Sequence, residues 1–320
     1  MCVFCDQRTI TGTRTELESV RETVDRCVGT SSGREAEIAF FGGSFTGIGE
    51  ELMISLLDLA KEYADRGLVS GIRMSTRPDY IDPHIVSVLK RYPVSQVELG
   101  IQSMDEDVLR ACRRGHSPRD TERAVKLLRE GGLSVGGQMM IGLPGSCPES
   151  EKECARFIAD NCDSARIYPT VVFRDTELAR MTERGEYDPL SVDDAVIRSA
   201  DVLEILTGSG TECLRIGLCD SENLHSSAYL AGPNHPALGE LVYGEIYYRI
   251  ISAQLREKGI SGCGAEISVP DRHMSKAVGL NGSNRKRIAG EFGLKSIRFR
   301  VDPGAPPYRV SVKKIDIGGN

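Results

Sequence analysis

The sequence predicts an α/β fold in which helices cover the outer face of a parallel sheet. Short apolar stretches alternate with segments of helical periodicity from residue 37 to residue 172, as expected of repeated strand–helix units. Four of these apolar stretches end in a cluster of glycine or small polar residues: Gly-Gly-Ser, Ser-Thr-Arg, Gln-Ser and Gly-Leu-Pro-Gly. Because the carboxyl ends of parallel strands meet at one edge of a barrel, these clusters predict a functional site there.

The elements follow in order along the chain. The predicted strands of the first region are residues 37–41, 71–75, 96–101, 135–143 and 165–172, and its predicted helices are residues 50–66, 83–92, 105–113, 118–130 and 149–161. Beyond residue 172 the predicted elements are helices 175–184, 192–206 and 239–255 and strand 214–218. The last part reads as strand 265–269, helices 271–278 and 283–292, and strand 296–301. We therefore predict a barrel over 1–175, a helical and strand extension lining it over 176–260, and a small basic α/β module over 261–320.

The charge of the chain is unevenly distributed. The net charge is −6, yet residues 271–320 contain eleven Lys and Arg against four Asp and Glu. A basic segment attached to an acidic body predicts contact between that segment and a polyanion. No apolar stretch approaches the 18 residues of a membrane-spanning helix, and no secretory leader is visible. We therefore expect a cytoplasmic protein with no membrane partner.

A Cys-x-x-Cys pair, Cys2 and Cys5, stands at the start of the chain. Two thiols at this spacing are compatible with an iron–sulfur cluster, a zinc knuckle or a dithiol redox pair. The other eight cysteines are scattered without a second such pair, so we expect them to be ordinary buried or surface thiols.

The cysteine pair and the polar clusters together resemble the motifs of the radical S-adenosylmethionine (SAM) enzymes, in the family's order and spacing, over about residues 2–172. Residues 2–5 are similar to the end of Cys-x-x-x-Cys-x-Phe-Cys, and residues 41–46 to the Gly-Gly-Ser/Thr-Phe-Thr form of the elongator-type branch. Residues 75–80 resemble Glu-Thr-Arg-Pro-Asp-Tyr of that branch, with serine in place of the glutamate. Residues 97–116 and 137–145 resemble the next two blocks.

This resemblance implies a partial (βα)6 TIM-like barrel of the radical SAM type that uses a 4Fe-4S cluster and SAM. The implied cluster ligands are Cys2 and Cys5. A third ligand is expected at position −2, so the first cluster cysteine and the first strand are expected to be missing. The residues that the resemblance assigns to the cofactors are Phe4, Gly42, Gly43, Ser44, Ser75, Gln102, Arg114 and Gly142. Among them, Arg114 would pair with the carboxylate of SAM, and Ser75 would meet its ribose with less reach than a glutamate.

Residues 166–178 narrow the resemblance to the radical SAM half of the elongator catalytic subunit, whose family modifies the wobble uridine of tRNA. We expect a stand-alone member without the acetyltransferase domain, acting on RNA and specifically on tRNA, with an electron donor such as flavodoxin or ferredoxin. Two alternatives stay open: a radical SAM enzyme for a small or porphyrin-like molecule, and a non-catalytic RNA-binding relative. His235 also stays open, as a loop residue or a substrate-side acid or base.

The basic segment contains the loop Gly279-Leu280-Asn281-Gly282 between two predicted helices. The order strand, helix, GxxG, helix, strand resembles a minimal KH module, in which the glycine loop approaches phosphates and basic residues begin the next helix. The residues that this resemblance assigns to RNA are Gly279, Gly282, Arg285, Lys286 and Arg287. The alternative is a small α/β cap with a solvated basic face.

Overall fold

The computed structural model describes residues 2–5, 17–29, 36–218 and 228–316. The chain forms two compact units, of which the first comprises residues 1–191 and 205–234 and the second residues 192–204 and 235–320. Within the described ranges, no helix is long and apolar enough to cross a membrane.

The first unit is built on a six-stranded parallel sheet. In their order across the sheet, its strands are β1 (Glu37–Phe40), β2 (Gly71–Thr76), β3 (Val94–Gln102), β4 (Val135–Ile141), β5 (Ser164–Pro169) and β7 (Glu212–Ile216). Two short strands, β6 (Val172–Phe173) and β8 (Tyr229–Ala231), form an antiparallel ladder. The parallel order confirms the predicted partial barrel.

Helices connect these strands, as the alternating pattern predicts, and one further helix, α1 (Leu17–Val28), precedes β1 and was not predicted. The others are α2 (Glu50–Asp65), α3 (Pro83–Leu89), α4 (Glu106–Ala111), α5 (Pro118–Glu130), α6 (Pro148–Asn161) and α7 (Glu177–Glu183). Their starts follow from local chemistry. Ser117 and Asp120 form a capping box at the start of α5, and Asp105 accepts two backbone N–H bonds at the start of α4.

The two faces of the sheet differ in polarity. On β3, Val97, Leu99 and Ile101 are fully buried on one face, whereas Gln96 and Glu98 point to the other. The polar face is internal, because side chains of neighbouring strands bond to one another across it. The sheet is curled, since Arg166 on β5 reaches the ring of Phe41 at the end of β1. This curl gathers the carboxyl ends of the strands around one site.

One predicted element divides in the structure. The predicted strand over 165–172 is two strands, because β5 ends at Pro169 and the chain turns before β6. Proline has no N–H to continue a sheet ladder, and Thr170 instead donates its N–H to the carbonyl of Ile141. The apolar run across Pro169 concealed this break in the sequence.

The second unit pairs helices with a three-stranded sheet. Helix α8 (Val192–Ser209) begins in this unit. It is followed by α9 (Leu238–Glu257), β9 (Gly264–Pro270), α10 (Met274–Val278), α11 (Ser283–Phe292), β10 (Ser296–Asp302) and β11 (Ser311–Ile315). Strand β9 is central, parallel to β10 and antiparallel to β11. The strand–helix–GxxG–helix–strand order is the predicted one, whereas the third strand was not predicted.

A sharp loop joins α10 to α11, and it requires glycine at its start. Gly279 has a φ of +80°, and an added Cβ there would lie 2.7 Å from the backbone nitrogen of Asn284. We expect Gly279→Ala to lower the free energy of unfolding by about 1–3 kcal/mol. Gly290 lies inside α11 with nothing within 4 Å of an added Cβ, so Gly290→Ala should instead raise it by about 1 kcal/mol. Urea titrations of both variants test this contrast. Equal changes in the free energy of unfolding would contradict it.

Candidate functional site

A cavity of about 1150 Å³ lies in the first unit, beside the carboxyl end of β1. Among the residues that line it are the two cysteines, the glycine loop after β1 and two arginines: Cys2, Cys5, Gly42, Gly43, Arg77 and Arg114. The folded chain thus brings motifs that are up to 112 residues apart in sequence to one place.

The cysteine loop is fixed to the barrel by its second residue. Cys5 donates its N–H to the carbonyl of Cys2 at 3.2 Å, which closes a turn between the two thiols. Val3 is 2% exposed, donates its N–H to the carbonyl of Cys112 at 3.1 Å and accepts from Leu178 at 2.8 Å. Burial raises the pKa of the Cys112 thiol to about 12, so this third nearby cysteine stays protonated. The cysteines that line the cavity are Cys2 and Cys5 of this loop and Cys27 of α1.

Arg114 connects this loop to β3. Its Nη1 donates to Sγ of Cys2 at 3.5 Å, and its Nη2 donates to the carbonyl of Gly100 at 3.0 Å. A Cβ at position 100 would lie 2.6 Å from Nη2 of Arg114, so only glycine leaves room for the guanidinium over the strand. The guanidinium consequently lies beside the thiol of Cys2, at the edge of the cavity.

Three polar atoms at the end of β3 are buried without a partner in the described chain: Oε1 of Gln102, Nε of Arg114 and Nδ1 of His116. Gln102 ends β3 at an irregular register and has a φ of +67°, which is rare for a residue with a side chain. Buried polar atoms are nearly always satisfied, so an acceptor and a donor left unpaired together indicate a polar ligand. The amino-acid end of SAM carries both complementary groups, and these residues therefore fit it.

The glycine loop is steadied from the neighbouring strand. Ser75 on β2 donates its hydroxyl to the carbonyl of Gly43 at 3.3 Å. Gly42, Gly43 and Ser44 all line the cavity. Ser75 thus stands directly behind the loop, and its hydroxyl already has a partner there.

Phe4 and Gly142, like Ser75 and Gln102, are not among the residues that line the cavity. Phe4 packs against the apolar cluster that contains Val3. The backbone groups of Gly142 are both engaged, because its N–H donates to Oε1 of Glu151 at 2.7 Å and its carbonyl accepts from Tyr187 at 2.6 Å. In this structure both residues hold the frame around the site.

The cysteine loop provides some of the ligands that an iron–sulfur cluster takes. A radical SAM cluster takes three thiolates, and the loop of Cys2 and Cys5 supplies two at the cavity, which Cys27 of α1 also lines. Among the described residues there is no group of three His, Cys, Asp or Glu side chains that is placed to hold a metal. The donor set therefore fits two positions of the cluster.

Arg77 is a functional candidate to which the sequence interpretation gave no role. It lines the cavity, its guanidinium donates to both carboxylate oxygens of Asp79 at 2.6 Å, and it lies 4.8 Å from the ring centre of Tyr80. These hydrogen bonds raise the pKa of Arg77. The residue stands within the matched stretch 75–80, but a motif match alone does not show which side chain faces the site.

A buried histidine supports the bulge at the end of β3. The Nε2 of His116 lies 3.2 Å from the carbonyl of Ile101, directly before Gln102. Burial, with a smaller contribution from the Arg114 guanidinium, lowers the pKa of His116 to about 4, from about 6.5 in an unfolded chain. The folded protein therefore holds a neutral imidazole.

This shift predicts a pH dependence of stability. Because the folded pKa lies below the unfolded one, the contribution of His116 is complete above about pH 6.5 and is lost as the pH falls to about 4, by about 3 kcal/mol. We expect His116→Gln to flatten the free energy of unfolding between these pH values in urea titrations. His84→Gln, which changes an exposed imidazole beside Glu50, is the control. Equal pH slopes for wild type and His116→Gln would contradict the prediction.

The predicted RNA-binding loop lies in the second unit. Gly279 and Gly282 both have positive φ, and α11 begins directly after them. Arg287 pairs with Glu245 at 2.7 Å and lies over a tyrosine ring, and Arg285 lies over a phenylalanine ring. Lys286 is exposed. Arg285 and Arg287 thus also pack against other side chains of the second unit.

His235 has a structural partner. Its Nδ1 accepts the backbone N–H of Ala237 at 3.1 Å, directly before α9. Of the two interpretations of His235, the contact favours that of a loop residue with a structural role.

Comparisons with known proteins agree with this geometry. The family model of the radical SAM superfamily matches residues 1–158, and that of the radical SAM C-terminal domain matches residues 162–248. The solved structure of Elp3 from the archaeon Methanocaldococcus infernus, lacking its residues 1–46, is similar with a TM-score of 0.62 and 27% identity. That similarity covers 76% of this chain and 59% of the other.

Curated relatives share part of their length with this chain. A tRNA uridine(34) acetyltransferase from M. infernus is 33% identical over 174 residues, which cover 53% of this chain and 32% of the relative. Human Elongator complex protein 3 is 32% identical over 46% of this chain and 28% of its own length. The chain therefore spans about a third of these relatives. From the two family matches and the Elp3 fold, we conclude that the chain belongs to the radical SAM superfamily of enzymes and resembles its Elp3-like members.

Proposed function

We propose that this protein uses a 4Fe-4S cluster and SAM to modify tRNA. The observation that supports the proposal is the convergence of Cys2, Cys5, the Gly42-Gly43 loop and Arg114 on one cavity. Thiolates are the ligands of iron–sulfur clusters, and a guanidinium suits a carboxylate such as that of SAM. The substrate follows from the relatives, whose names describe proteins that act on uridine 34 of tRNA.

Each residue has a proposed task. When bound, the cluster and SAM supply the reductive cleavage of SAM that leads to removal of a hydrogen atom from the substrate. Cys2 and Cys5 would hold the iron, Arg114 would bind the SAM carboxylate, and Gln102 would accept from the SAM amine. Ser75 keeps the glycine loop in place beside them.

The setting of the reaction belongs to the same proposal. An electron donor such as flavodoxin or ferredoxin would reduce the cluster. We place the activity in the cytoplasm, where reducing conditions keep cysteines available as iron ligands. The Gly279–Gly282 loop, with Arg285, Lys286 and Arg287, would contact the RNA backbone.

Anaerobic iron–sulfur reconstitution tests the enzyme. This chain and a version extended upstream, to include the expected third cysteine, are each assayed for iron, sulfide and reductive cleavage of SAM to methionine and 5′-deoxyadenosine. Cleavage by either version supports the proposal. A failure of both to hold a cluster would leave RNA binding as the leading function. Cys2→Ser and Cys5→Ser should each abolish the cleavage.

The RNA partner is tested separately, by titrating unmodified tRNA transcripts at several salt concentrations. Affinity should fall steeply with salt, and Lys286→Ala should weaken binding and reduce the salt slope by about one charge. Lys126→Ala, which changes an exposed lysine of the first unit, is the control. An enzyme that cleaves SAM but does not bind these transcripts would act on a small molecule instead.

A further inference from the structure

The cavity has an aromatic wall that the proposed chemistry leaves without a task. Phe41 directly follows β1 and precedes the Gly42-Gly43 loop. Its side chain lines the cavity and is 47% exposed, although an aromatic ring of this size is usually buried. Phe45, four residues on, is buried and stacks on Phe40, so exposure is particular to Phe41 in this loop.

The ring of Phe41 is backed by a fixed cation. The guanidinium of Arg166 on β5 lies 5.4 Å from the centre of the ring, within the range of cation–π attraction. Arg166 donates to both carboxylate oxygens of Glu98, at 2.6 and 3.0 Å. This two-point contact sets the plane of the guanidinium, and therefore its position beneath the ring.

Glu98 is itself held from two further strands. It is 1% exposed and accepts from Arg73 on β2 and from Gln138 on β4, both at 2.9 Å. The support of Phe41 thus extends over four neighbouring strands of the sheet. Because the ring of Phe41 is already held in place, a flat ligand can bind to it without the entropy cost of ordering a mobile side chain.

We propose that Phe41, supported by Arg166, is the surface on which the target base of the RNA substrate stacks. An enzyme that reacts with a base in a folded RNA must take the base out of its stack, which costs a few kcal/mol. Stacking on an aromatic ring in the reaction cavity offsets part of that energy, and it does so for any base because every base has a π-face. This inference rests on the proposed RNA substrate.

SAM also carries a base, so two occupants share this chemistry. The resemblance assigns Gly142 to the cofactors, and Gly142 directly follows β4, three strands away from β1 in the sheet. We therefore assign the ring of Phe41 to the base of the RNA and not to the base of SAM. The experiment distinguishes the two sources.

The chain contains no tryptophan, so Phe41→Trp creates a single fluorescent reporter at the proposed surface. Stacking of a base on the indole should quench its emission when unmodified tRNA transcripts are added, and S-adenosylhomocysteine alone should quench it much less. Ile197→Trp places the same reporter at a site of matched exposure, 48%, on α8, where no quenching is expected. If S-adenosylhomocysteine alone quenched the Phe41→Trp indole as strongly as the transcripts do, the ring would belong to the cofactor and the proposal would be overturned.

The affinity for RNA gives an independent measurement. Phe41→Leu should weaken the binding of labelled tRNA transcripts by about 5- to 100-fold in fluorescence anisotropy, whereas Phe41→Tyr should preserve it. Unchanged binding by Phe41→Leu would overturn the stacking surface and leave the proposed RNA substrate standing. A wild-type protein that does not bind the transcripts would instead contradict the RNA substrate itself.

Discussion

Replacing Arg114 with methionine is expected to weaken the binding of SAM by about 100-fold, because a half-buried charged partner of the ligand carboxylate would be lost. The guanidinium lies between Sγ of Cys2 and the carbonyl of Gly100, with Nε buried and unpaired in the described chain. Methionine has a similar length and packs well, so the change removes charge and hydrogen bonds with little loss of volume. Equilibrium dialysis with S-adenosylhomocysteine, which has the same carboxylate, measures the effect without turnover.

The preceding residue offers a matched control. Arg113 is also an arginine, but its side chain is 67% exposed and its nearest carboxylate, of Glu177, is 4.0 Å away. Arg113→Met should leave the affinity unchanged. Arg114→Lys, which keeps the charge without the planar group, should have an intermediate effect. Equal affinities of wild type and Arg114→Met would show that the carboxylate of SAM binds elsewhere, with Arg77 as the next candidate.

The sequence predicted the barrel well because its parallel strands are apolar runs closed by glycine, a pattern that local chemistry determines. It also predicted that Arg114 and the cysteines belong to one site, since matched motifs in family order carry that information. It did not predict β11, because Lys313 and Lys314 interrupt its apolar pattern on an edge strand. The break at Pro169 was hidden for the opposite reason, since apolar residues continue on both sides of it.

The inner face of the sheet was the least predictable part of the site. Glu98 and Arg166 both stand in segments that were predicted to be strands, yet their pairing joins residues 68 positions apart. An alternating pattern predicts that both side chains leave the apolar face, but it does not predict which partner each one meets. Phe41 stands in the matched stretch 41–46 beside the two glycines, and its role depends on Arg166, which only the curl of the sheet brings near.

The buried carboxylate of Glu98 is expected to be the most sensitive point of this inner face. Glu98→Ala leaves Arg73 and Arg166, whose side chains are only 20% and 16% exposed, without their shared counter-charge. Loss of one partner from a buried ion pair typically costs about 3–5 kcal/mol, and we expect a decrease of this size in the free energy of unfolding. Urea titration followed by circular dichroism measures it, with Asp65→Ala, which breaks an exposed pair with Lys61, as the control.

A second substitution separates pairing from simple loss of packing. Arg166→Met should cost less than Glu98→Ala, because Glu98 keeps its bonds to Arg73 and Gln138. The double variant should lose less than the sum of the two single losses, since removal of Glu98 already leaves Arg166 unpaired. Strictly additive losses would mean that Arg166 and Glu98 do not act together. The position of Arg166 beneath Phe41 would then owe nothing to the carboxylate, and the four-strand support of the aromatic wall would reduce to the Phe41–Arg166 contact alone.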